Sequence, residues 1–97
     1  MKITINDDAA GWYENEMDLS SGGFLRCFVR YGGFSTVQQG FSLGVSKDEP
    51  DHIGAKTEKN GVTYYIEEKD SWYFDGHDLI VDLHPIAKEP ELKFLKD

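Results

Sequence analysis

The sequence predicts a small α+β domain, made mainly of antiparallel β hairpins with an N-terminal helix and one short later helix. Three observations carry that expectation. The chain has 97 residues, 39% hydrophobic and 13% aromatic, which suits one compact domain over residues 1–97 with a single core. Apolar residues alternate with period two along several stretches, as in strands with one buried face. Glycine pairs and an Asn-Gly separate those stretches, and no repeat, low-complexity tract or linker interrupts them.

Lys2-Ile3-Thr4-Ile5 alternates as a short strand. Asn6 or Asp7 is placed to cap a helix running to about Met17, with Ala9 or Ala10, Tyr13 and Met17 on its inner face. Gly11 within it costs on the order of 1 kcal/mol relative to alanine, so this helix depends on tertiary packing. After the break at Ser20-Ser21-Gly22-Gly23, Phe24 to Tyr31 alternates, with Leu25, Cys27, Val29 and Tyr31 on one face and Phe24, Arg26, Phe28 and Arg30 on the other. Beyond Gly32-Gly33, Gln39 to Ser46 reads as the returning strand of a central hairpin, with Phe41, Leu43 and Val45 on a common face. His52 to Glu58 and Val62 to Ile66 form a second hairpin, because Lys59-Asn60-Gly61 supplies the positive φ of a tight turn. Lys69 to Phe74 fits a short helix ended by Asp75-Gly76, and Leu79 to Leu83 is another strand; Leu92 to Leu95 is an edge strand or a frayed end.

A formal net charge of −8 repels phosphate backbones and anionic surfaces, which disfavours nucleic acid and membrane as partners. No stretch has the length of a signal peptide's apolar region or of a membrane span. One cysteine forbids an intramolecular disulfide and fits a reducing cytoplasm.

The segment Leu25-Arg26-Cys27-Phe28-Val29-Arg30-Tyr31-Gly32-Gly33-Phe34-Ser35, then Gly61-Val62-Thr63-Tyr64-Tyr65-Ile66, then Trp72-Tyr73-Phe74-Asp75-Gly76, resembles the HesB-like, or A-type, iron–sulfur carrier family over nearly the whole chain. That resemblance implies a HesB-like domain and the handling of iron or iron–sulfur clusters by thiolates, usually in a dimer or tetramer. It also makes the position after the Gly-Gly pair a cysteine ligand and places two more in a Cys-Gly-Cys near the C-terminus. Here the first position is Phe34, and no Cys-Gly-Cys stands before Asp97. The chain therefore reads as a variant without the family's ligand cysteines.

Cys27 lies between Leu25 and Val29 in the alternation, where a lone cysteine behaves as a small buried hydrophobe. Its competing role is that of a displaced cluster ligand. Asp75, His77 and Asp78, and the pair Asp82 and His84 two apart on a strand, offer oxygen and nitrogen donors suited to iron(II), manganese or zinc. Their competing roles are a turn, a cap and an exposed strand end. Ser35, Thr36 and Ser42 have no Gly-x-Ser-x-Gly elbow around them, and glycines 32, 33, 40 and 44 match no nucleotide fingerprint, so the chain reads as a non-enzyme. Arg26 and Arg30 among aromatic rings suit an interface or pairing with the 18 carboxylates. Phe34, Val37 and Gln38 at the hairpin tip suit a protein contact. Trp72, Tyr73 and Phe74 run consecutively, so a short helix leaves one ring partly in water.

Two functions follow. The favoured one is a binding or accessory protein, linked to iron–sulfur cluster assembly without the usual ligands, that contacts a protein partner or itself as a homodimer and needs no cofactor. The alternative is an iron or iron–sulfur carrier that uses Cys27, partner cysteines or the Asp and His donors.

Overall fold

The computed structural model describes residues 1–33 and 40–96. Seven strands, one α-helix and one 3-10 helix follow in the order β1 (Ile3–Ile5), α1 (Asp7–Glu16), β2 (Phe24–Tyr31), β3 (Phe41–Ser46), β4 (Ile53–Lys59), β5 (Val62–Glu67), the 3-10 helix (Glu68–Phe74), β6 (His77–Leu83) and β7 (Pro90–Lys96). The α+β class and both expected hairpins are present. The strands form a three-stranded sheet ordered β1-β6-β7 and a four-stranded sheet ordered β3-β2-β5-β4.

Two pairings add to the hairpins. β1 runs parallel to β6, with Ile3 opposite Leu79, and β2 runs parallel to β5, with Leu25 opposite Tyr64. Pairings between strands distant in sequence leave no turn signature, so local reading gives the hairpins and not the sheet order. β2 is accordingly central, while β3 is an edge.

Between the sheets lies the core. β1 contributes Ile3 and Ile5, α1 contributes Ala9, Ala10 and Tyr13, β5 contributes Val62, Tyr64 and Ile66, and β6 contributes Leu79 and Val81. The Asn6 side chain caps α1 by accepting the Ala9 N–H at 2.8 Å. Asn60 and Gly61 take φ of 55° and 79°, as a type I′ hairpin turn requires. A side chain at Gly61 would also strike Ser21.

Several boundaries move. α1 stops at Glu16, and Met17 is its half-buried C-cap. β6 begins at His77, so His77 and Asp78 belong to a strand instead of the turn before it. β7 is a full edge strand paired along its length with β6. Tyr31 shares a face of β2 with buried Leu25 and Cys27, yet it is 93% exposed, because β2 runs on past its partner β5, whose pairing with it spans only Phe24 to Arg26.

The connection from β3 to β4 joins the two edges of the larger sheet, and the outer face of β5 ties it down. Tyr65 Oη donates to the Asp48 carbonyl at 2.7 Å. The Asp51 and His52 N–H groups donate to Glu67 Oε1 and Oε2, each at 2.9 Å. Buried Glu67 is thus satisfied by two backbone donors.

Candidate functional site

Cys27 is 7% exposed within the core, beside Val45 across the β2–β3 pair. Desolvation by burial pushes its thiol up to about 12, so the thiolate that would bind iron or a cluster is strongly disfavoured. As a donor set for a four-thiolate cluster, one protonated core thiol does not fit.

The oxygen and nitrogen donors are dispersed among other tasks. His77 Nδ1–H donates to the Phe74 carbonyl at 2.8 Å. Asp75 is the exposed left-handed residue that ends the 3-10 helix, at φ 47°. Asp78 accepts the Lys2 N–H at 2.9 Å. Asp82 accepts from Asn6 Nδ2 at 3.2 Å and pairs with Lys93 Nζ at 3.3 Å. His84 Nδ1 accepts the Ile86 and Ala87 N–H groups at 3.2 and 3.1 Å, closing the turn into β7. Among the described residues no three His, Cys, Asp or Glu side chains gather as a metal site.

Arg26 and Arg30, one strand face in the sequence, have different surroundings. Arg26 pairs with Asp70 at 3.0 Å, with both side chains mostly buried, and its guanidinium lies 5.8 Å from the Phe28 ring centre. It is structural. Arg30 is exposed beside Gly44, where an added Cβ would lie 2.7 Å from its Cδ. Phe34, Val37 and Gln38, singled out as contacts, lie outside the described residues.

Where β2 ends and β3 begins, the fold gathers a row of rings. Tyr31 meets Phe41 edge-on at 5.8 Å, and Phe41 meets Trp72 edge-on at 5.2 Å. Tyr73 and Phe74 are buried, which leaves Trp72, 52% exposed, as the ring in water. Rings of this size held in fixed geometry, partly wet, are the side chains that most often anchor protein interfaces. Tyr31 and Phe41 were each read from the sequence only as strand residues. Their meeting with Trp72 depends on the 3-10 helix standing beside the hairpin, a contact no local pattern encodes.

The family model for iron–sulphur cluster biosynthesis matches residues 1–95. The chain belongs to this family. Among its curated relatives is the pyruvate dehydrogenase inhibitor of Bacillus subtilis (strain 168), 54% identical over 94 residues that cover 97% of this chain and 99% of the relative. An uncharacterized protein of Staphylococcus saprophyticus is 39% identical over 87 residues, covering 87% and 89% of the two chains. Another, from Staphylococcus aureus (strain MRSA252), is 35% identical over 99 residues, covering 99% of each. The position that the resemblance marks as a ligand, Phe34, lies outside the described residues, and the single thiol of the chain, Cys27, is a core residue. No helix among the described residues is long and apolar enough to cross a membrane.

Proposed function

We propose that this chain is a non-enzymatic, protein-binding member of the iron–sulphur cluster biosynthesis family that acts in the cytoplasm on a partner enzyme, and that the partner is a pyruvate dehydrogenase. The observation that carries this reading is the state of Cys27: the one thiol of the chain is buried and held protonated, so the scaffold has kept its packing and lost its ligand chemistry. The name of the Bacillus subtilis relative, similar over 97% of this chain, supports the choice of partner. The exposed rings of Tyr31 and Trp72, joined through half-buried Phe41, support a role in contact with another protein.

On this reading the protein binds at the hairpin end, and docking itself alters the partner's activity, with no group transferred and no cofactor consumed. The test is titration of purified pyruvate dehydrogenase complex from Bacillus subtilis with this protein, following both binding and turnover. Saturable binding with loss of turnover is the expected result. Turnover unchanged at full occupancy would remove the inhibitory role, and lack of binding would remove the partner.

A further inference from the structure

Among the described residues four strands form the edges of the two sheets, and three of them carry the features that discourage pairing with another chain. β1 is only three residues long. β4 carries Lys56, Glu58 and Lys59 and has a register shift between Ile53 and Ala55. β7 begins at Pro90 and carries Glu91, Lys93 and Lys96. β3, Phe-Ser-Leu-Gly-Val-Ser, has no charge, no proline and an unbroken register over all six residues. In a chain that is 29% charged, an uncharged, regular edge stands out as a pairing surface.

Which atoms that edge offers follows from the hairpin. The Gly32 N–H donates to the Gly40 carbonyl at 2.6 Å. In an antiparallel pair, bonded and non-bonded positions alternate, so Ser42, Gly44 and Ser46 bond to β2. Phe41, Leu43 and Val45 turn their N–H and C=O groups outward. The side chains of these same three residues lie on the core face, half-buried. Beside them opens a cleft of about 570 Å³, walled by Trp12, Tyr13, Leu43, Val45, Pro90 and Leu92. A strand added to β3 would lie about 4.8 Å beyond it, with alternate side chains directed to the cleft side.

We infer that the edge of β3 is the docking surface for an extended, apolar segment of another protein, flanked by lysine or arginine, which adds a fifth strand to the larger sheet. The inference rests on the protein-binding reading above and supplies its geometry. Charge selects the occupant. Glu89 lines the cleft together with Arg30, Asp8 and Glu16 stand exposed one turn before and after Trp12 on α1, and the whole chain carries −8. A second copy would bring its own −8 to the same edge, whereas basic flanks meet complementary charge. Half-buried Phe41 opens β3 and joins the exposed rings of Tyr31 and Trp72, so the row and the edge form one continuous surface.

Two probes test the inference separately from the choice of partner. The first is a synthetic peptide with alternating valine and threonine between lysine pairs, compared with the same peptide flanked by glutamates. Amide NMR is expected to show the largest shifts at Phe41, Leu43 and Val45, with the glutamate form at least tenfold weaker. The paired variant Glu16→Lys with Glu89→Lys, both at exposed positions, should weaken the lysine form at least fivefold. The second probe is pyruvate dehydrogenase complex with Val45→Pro, which removes an outward N–H that β2 does not use. A loss of binding of tenfold or more is expected, with the amide spectrum of the folded variant recorded as control. Should Val45→Pro unfold, the peptide and the charge variants decide alone. Peptide binding without complex binding would end the pyruvate dehydrogenase reading and keep the edge. Complex binding unchanged in folded Val45→Pro, peptide shifts centred on β7 or absent, or self-association through β3 before peptide is added would each overturn the inference.

Discussion

Arg26 Nη2 stands 3.0 Å from Asp70 Oδ2, a contact that ties the central strand of the larger sheet to the 3-10 helix. Through it, β2 fixes the helix that presents Trp72 to Phe41. Both partners are mostly withdrawn from water, and Arg26 Nε has no hydrogen-bond partner among the described residues. Asp70→Asn leaves that guanidinium partly buried and without its counter-charge. A stability loss of about 2 kcal/mol is expected in urea unfolding, together with blue-shifted or weakened Trp72 fluorescence changes on partner binding.

Trp72→Ala separates the interface from the fold. Its ring is 52% exposed, while the adjacent Tyr73 and Phe74 are fully buried. The substitution should shift the unfolding midpoint little and weaken binding to pyruvate dehydrogenase complex by about 30-fold, matching an anchor of about 2 kcal/mol. Surface plasmon resonance with thermal unfolding as control measures both.

Tyr73→Phe is expected to stabilise the protein. The Tyr73 hydroxyl is buried and unpartnered among the described residues, and an unsatisfied buried hydroxyl costs about 1–3 kcal/mol. Removing the oxygen keeps the ring against Phe74 and Phe94. A gain of about 1 kcal/mol in denaturant unfolding is the expected outcome, and a loss would mean that the hydroxyl is bonded.

Burial sets the alkaline limit of stability. It pushes the Cys27 thiol up to about 12, and burial with the neighbouring Glu14 charge does the same for Tyr64. The folded protein therefore holds these protons more tightly than the unfolded chain. Their contribution is complete below the ordinary thiol value of about 8.5 and is lost as pH rises toward 12. Unfolding free energy measured from pH 8 to 11 should fall progressively, less steeply in Cys27→Ala, and native Cys27 should react slowly with thiol reagents.

Much of the fold was legible because its signals are local. The Asn60-Gly61 turn, the Asn6 cap and the alternation of Leu25, Cys27 and Val29 each depend on neighbours within a few residues. The parallel pairings of β1 with β6 and β2 with β5 were not, since they join segments tens of residues apart. The exposure of Tyr31 follows from that sheet order and was missed with it. At the candidate site the sequence reading centred on Phe34, which lies outside the described residues, and gave no sign of the ring row that the fold assembles from Tyr31, Phe41 and Trp72. Arg26 and Arg30 share a strand face, and only tertiary packing gives one to Asp70 and the other to the cleft. Trp72 reaches Phe41 by the same kind of long-range contact.

Under the proposed function this scaffold acts by binding, without cluster chemistry. The most direct test compares inhibition of pyruvate dehydrogenase complex by protein stripped of metal with chelator and by protein treated anaerobically with iron and sulfide. Equal, saturable inhibition by both preparations is the expected result. Inhibition or binding that appears only after iron and sulfide treatment, with a visible chromophore lost in Cys27→Ser, would contradict it.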